Sequence, residues 1–205
     1  MTTRPSPSSF SARRALLVSA GIVAGFLIPA APALAHPGHA LHGLGDGLAH
    51  PLTGPDHLLA MIAVGAVAAL SASRRVAWLT PAAFVGGMLA GGALGLAGVS
   101  LPGTETAVAL SVVALGVLVA TATHHEGTWL PLLVGAFGVA HGIAHGAEAP
   151  AAVSPLAYVA GFVAITVVLH AGGAATGWML RRAPAVRMAT GAVVSGAGLA
   201  LLVAV

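Results

Sequence analysis

The sequence predicts an all-α integral membrane protein with six transmembrane helices behind a cleavable N-terminal signal peptide. Three observations carry that reading. Hydrophobic residues make up 58% of the 205 and charged ones only 6%, whereas a water-soluble domain carries about 25% charged residues to cover its surface. Mean hydropathy is +0.97. Apolar stretches recur between short connectors rich in Arg, Pro and Gly, and each is close to the roughly 20 residues that cross a bilayer core.

Residues 1–35 have the layout of a secretory leader. Arg4, Arg13 and Arg14 form a positive n-region, Ala15 to Ile28 an apolar h-region, and Ala33-Leu34-Ala35 a small-x-small cleavage site. Processing there makes His36 the first residue. The alternative is an uncleaved anchor, for which the h-region is short. Arg13-Arg14 is followed by Ala-Leu-Leu, without the rest of a twin-arginine pattern.

Residues 36–205 then form one membrane domain of six spans. The first, 44–70, ends at Ser73-Arg74-Arg75, and Pro51, Gly54 and Pro55 interrupt it, which predicts a helix discontinuous near Pro55. The second, 77–98, stops before Leu101-Pro102-Gly103. The third, 105–122, reaches His124-His125-Glu126-Gly127, and the fourth, 129–148, reaches Ala149-Pro150. The fifth, 154–180, ends at Arg181-Arg182-Ala183-Pro184, leaving 187–205 as the sixth. Many glycines sit within these spans beside alanine, as in Gly86-Gly87 and Gly91-Gly92-Ala93, which reads as close helix packing through small residues.

The pI of about 11.2 suggests a nucleic-acid partner, but the arginines argue otherwise. Beyond residue 35 the five arginines are balanced by Asp46, Asp56, Glu105, Glu126 and Glu148. The expected surroundings are the lipid bilayer, with no nucleic acid. All five of those arginines fall in or beside the first and fifth connectors, which share one side of an alternating six-span topology. Short cytoplasmic loops keep positive charge, so those connectors belong to the cytoplasm of a bacterial cell and both mature termini to the periplasm, where an exported His36 must also lie.

Composition restricts the chemistry. There is no lysine, which excludes a Walker A phosphate loop and a Schiff base. There is no cysteine, which excludes disulfides and thiolate metal sites. Ten histidines remain. Ionisable groups inside a span cost about 2.5–3.5 kcal/mol each on insertion scales and so need a partner or a wet cavity. Two clusters stand out. His50-Pro51-Leu52-Thr53-Gly54-Pro55-Asp56-His57 lies in the first span, with Met61 one turn beyond His57. His141, His145 and Glu148 end the fourth span at i, i+4 and i+7, which puts two imidazoles and a carboxylate on one helical stripe. Glu105, at the start of the third span, and His170, within the fifth, are further candidates for the same centre.

An isolated intramembrane histidine serves equally well as an interhelical hydrogen-bonding strut. Four histidines with Asp56 and Glu148 in two spaced motifs favour a metal site instead. Imidazole with carboxylate suits nickel, cobalt or zinc over copper(I), magnesium or calcium, and ligand type alone leaves the metal open.

The stretch HPLTGPDHLLAMIAVG, residues 50–65, resembles the signature of the HupE/UreJ family of bacterial nickel/cobalt permeases, often encoded beside hydrogenase or urease genes. AHGIAHGAE, residues 140–148, is similar to the family's fourth-span motif, with Ala140 where the family usually has Phe. The resemblance implies His50, Asp56, His57, His141, His145 and Glu148 as ligands, and polar family positions at Glu105, Ser111 and His170. It implies nickel(II) or cobalt(II) as a substrate moved from periplasm to cytoplasm, with no resident cofactor, no enzymatic activity and an indirect link to nickel-enzyme maturation. No ATP-binding motif is present, which predicts a secondary transporter. His36, His39 and His42 form a histidine-rich exported N-terminus suited to capturing metal, or simply a polar tail. The alternative function is an intramembrane metal- or haem-binding protein with a redox or sensor role and no transport; Met61 would suit an axial haem position.

Overall fold

The computed structural model describes residues 42–121, 127–148 and 154–205. These form seven helices and no strand: α1 (His42–Thr53), α2 (Pro55–Leu70), α3 (Arg74–Leu96), α4 (Thr104–Thr121), α5 (Trp129–Glu148), α6 (Pro155–Leu180) and α7 (Pro184–Ala204). α3 to α7 are each long and apolar enough to cross a membrane. α1 and α2 pass the same test only together, bent by 85° at their junction. The leader predicted at 1–35, His36, His39 and His124-His125-Glu126 lie outside the described residues.

Local chemistry sets the helix limits. Pro155 and Pro184 open α6 and α7 at first-turn positions, where a missing N–H is harmless. α3 starts three residues before the expected 77, because Ser73 caps it by accepting the Val76 N–H and both arginines join the first turn. α3 ends in a Schellman turn. Gly98 takes φ 85°, its N–H donates to Gly95 O, and the Val99 N–H donates to Leu94 O.

Pro51 lies inside α1 and does not break it. The break falls at Gly54, whose φ of −94° and ψ of 114° are extended, as expected of a residue that precedes a proline.

Packing pairs α3 with α5, α4 with α7, and α1 and α2 with α6. Counting α1 and α2 as one span, exchange of the first three spans with the last three leaves this pairing unchanged. Each pair meets through glycine. A methyl group at Gly91 would overlap the Val139 carbonyl, one at Gly142 the Met88 carbonyl, and one at Gly65 the His170 carbonyl. At the opposite end from the helix break, Arg181 Nη2 donates to Ser71 O at 3.2 Å, so the first and fifth connectors lie together.

Candidate metal centre

The bend at Gly54 turns the start of α2 into the bundle. Asp56, in the first turn, accepts the His57 N–H through Oδ1 at 2.8 Å, a favourable place for a carboxylate at a helix N-terminus. His57 beside it is buried. From the facing side, α5 presents His141 and His145 one turn apart, both buried. The close approach of α5 to α3 through Gly142 and Gly91 brings these rings to the bundle centre.

Ligand nitrogens of His57, His141 and His145 all lie within 4.8 Å of one another. The His57 and His145 rings are 3.9 Å apart between centroids, and His50 packs edge-on against His145 at 4.7 Å. Phe84, Tyr158 and Phe162 wall the cluster, with Phe162 4.3 Å from the His145 ring and Phe84 5.5 Å from the His141 ring. Neither ring nitrogen of His145 has a hydrogen-bond partner among the described residues.

The hydrogen-bond network assigns the protons. Ser111 Oγ donates to Val108 O at 2.7 Å, since a carbonyl can only accept. Its oxygen therefore accepts from His141 Nε2–H at 2.8 Å. Neutral His141 is left with a lone pair on Nδ1, which accepts from His57 Nδ1–H at 2.8 Å. One proton thus lies between two nitrogens that point at the same place. A divalent cation can take that place once the His57 proton leaves or moves to Nε2, and Ser111 already holds His141 in the required tautomer.

Of the residues singled out in the sequence, His50, His57, His141 and His145 meet here. Asp56 adjoins the cluster, its Oδ1 4.0 Å from His57 Nδ1. Glu148 closes α5. Met61 is fully buried, its sulfur 3.5 Å from Thr166 Oγ1, whose proton goes to Phe162 O at 2.8 Å. Glu105 is exposed and lines a separate open cavity of about 410 Å³ with Thr104, Ala144 and Ala147. His170 lies beyond Phe84, its ring 5.5 Å from the phenyl. The aromatic walls were not foreseen. Tyr158, Phe162, Thr166 and His170 recur every fourth residue on α6, all buried, and that spacing was the available signal.

Three convergent imidazoles with nearby carboxylate suit a borderline divalent transition metal. A helical bundle with membrane-length apolar helices around a buried imidazole cluster defines a membrane protein with a candidate transition-metal centre. The family model described as HupE / UreJ protein matches residues 22–201, and the chain belongs to that family. It is 42% identical over 178 residues to Protein HupE of Rhizobium leguminosarum bv. viciae, covering 85% of this chain and 93% of that relative. No solved structure matches it.

Proposed function

We propose that this protein is a secondary permease that carries nickel(II), or cobalt(II), into the cytoplasm across the bacterial inner membrane, and that it is not an enzyme. The observation that carries the reading is the convergence of His57, His141 and His145, from two separate spans, on one buried point. Family membership supports it. His50, at the edge of the cluster, and Asp56 receive the ion, the three buried imidazoles hold it, and Glu148 adds charge from the end of α5. In this reading residues 1–35 are removed and residues 36–205 cross the bilayer six times, with α1 and α2 as one broken span and both termini periplasmic. The adjacency of the two arginine-bearing connectors supports their common cytoplasmic side.

A membrane potential of 100 mV supplies about 2.3 kcal/mol per charge, hence about twice that for a divalent ion. Inward movement therefore needs no nucleotide. The imported metal would serve maturation of nickel enzymes such as hydrogenase or urease.

The test is uptake of radiolabelled nickel and cobalt by cells expressing the wild type or His57→Ala at equal membrane levels. Uptake by the wild type that His57→Ala abolishes is expected. Absence of uptake by well-inserted wild type would sink the permease reading and leave binding without transport. A haem role finds no support in the geometry, because rings 3.9 Å apart leave no slot for a porphyrin.

Ser111→Ala removes the acceptor that orients His141 without touching a ligand. Nickel affinity, measured by titration calorimetry, should fall about 10–100-fold with the helical fold intact. An unchanged Kd would show that Ser111 does not hold the site.

A further inference from the structure

We infer that His170 is a second, inner station for the divalent cation, separated by the ring of Phe84 from the cluster formed by His57, His141 and His145. The inference deepens the transport reading and rests on it for the identity of the ion. Its first basis is the state of the imidazole. His170 is 7% exposed, and its Nδ1 lies 2.7 Å from Thr166 O. A carbonyl only accepts, so Nδ1 carries the proton and Nε2 is left with its lone pair. That nitrogen is buried and has no hydrogen-bond partner among the described residues. A structural strut would use both nitrogens, since buried polar atoms are nearly always paired. An imidazole fixed by Nδ1–H on a backbone carbonyl, with Nε2 open, is the state in which histidine binds metal.

The second basis is position. Phe84 has no solvent exposure, and its ring is in contact with both imidazoles, 5.5 Å between centroids from His141 and 5.5 Å from His170. Along α6, the step from Phe162, which touches His145, to His170 is eight residues, or about 12 Å. It runs toward Arg181 and the end where the first and fifth connectors meet. Thr166 and Met61 occupy the interval. A phenyl ring supplies no ligand atom to a divalent ion, so Phe84 divides the route into two coordinating stations, and the ion passes only when that ring moves.

The wild type contains no cysteine, which makes a thiol at this position a clean reporter. Full-length His170→Cys, purified in detergent and titrated with cobalt(II), should develop thiolate-to-cobalt charge-transfer absorption, and cobalt should protect the thiol from alkylation. Both signals should persist in His170→Cys combined with His57→Ala, because the stations are separate. If that variant does not remain monodisperse, equilibrium dialysis of His170→Gln should show one nickel ion fewer per chain than wild type. His170→Ala should lower nickel uptake about tenfold or more while His57 still binds. Absent absorption and absent protection, or for His170→Gln an unchanged nickel count, would overturn the inner station. So would signals that vanish with His57→Ala. Cobalt absorption in the thiol variant with no wild-type uptake would instead leave the station standing and remove the permease reading.

Discussion

Substitution of alanine for Gly91 is expected to destroy the detergent-stable fold, while the same substitution at Gly86, five residues earlier on α3, leaves it intact. Gly91 faces α5, and the added methyl would occupy the volume of the Val139 carbonyl, with the Ile143 N–H also close. Backbone atoms cannot rotate away, so α3 and α5 must separate along their length. Gly138, Gly142 and Gly146 face α3 equally closely. Relief at one point therefore opens the whole seam. Overpacking of a core costs about 1–3 kcal/mol where side chains can adjust, and here none can. The penalty should reach or exceed that range, against a net stability of about 5–15 kcal/mol. Gly86 is exposed with nothing near its added methyl, and alanine there gains up to about 1 kcal/mol of helix propensity. Thermal scans read by size-exclusion chromatography separate the cases. Equal midpoints for the two variants would show that the glycine seam does not hold the bundle together.

The helices were legible because their limits are chemical. Arginine, proline and glycine punctuate the apolar runs, and the helices begin and end within three residues of the expected limits. The break in the first span was legible too, since Gly54 precedes Pro55. The reason that His50 and His57 meet was not. A seven-residue spacing puts two side chains on one face of a straight helix, but an 85° bend lies between these two. They come together because each packs against His145. The meeting of His57 with His141, 84 residues away, depends on how closely α5 approaches its neighbours, and a chain's own spacing does not encode that distance. Glu105 shows the opposite limit. Its polarity in a span marked it as notable, yet it lines a separate cavity. Phe84 escaped notice because one phenylalanine among apolar residues carries no pattern of its own; its meaning comes from the two histidines in contact with it.

His141→Ala should abolish high-affinity nickel binding, with a loss greater than the roughly 10–100-fold that follows removal of a group outside the ligand shell. His141 is the node of the cluster. Its Nδ1 meets His57, its Nε2 is held by Ser111, and its ring packs on Phe84. Alanine removes the lone pair at the centre and with it the buried hydrogen bond between His57 and His141, whose loss costs about 1–3 kcal/mol. Stability will therefore fall together with binding, and alanine alone does not separate the two effects. His141→Phe does separate them, because a phenyl ring fills the volume and keeps the contact with Phe84 but offers no nitrogen. Calorimetric titration with nickel should find both variants equally unable to bind, while thermal scans should place His141→Phe nearer the wild type than His141→Ala. Wild-type nickel affinity in His141→Phe would remove this residue from the ligand set and move the centre toward His50, His57 and His145.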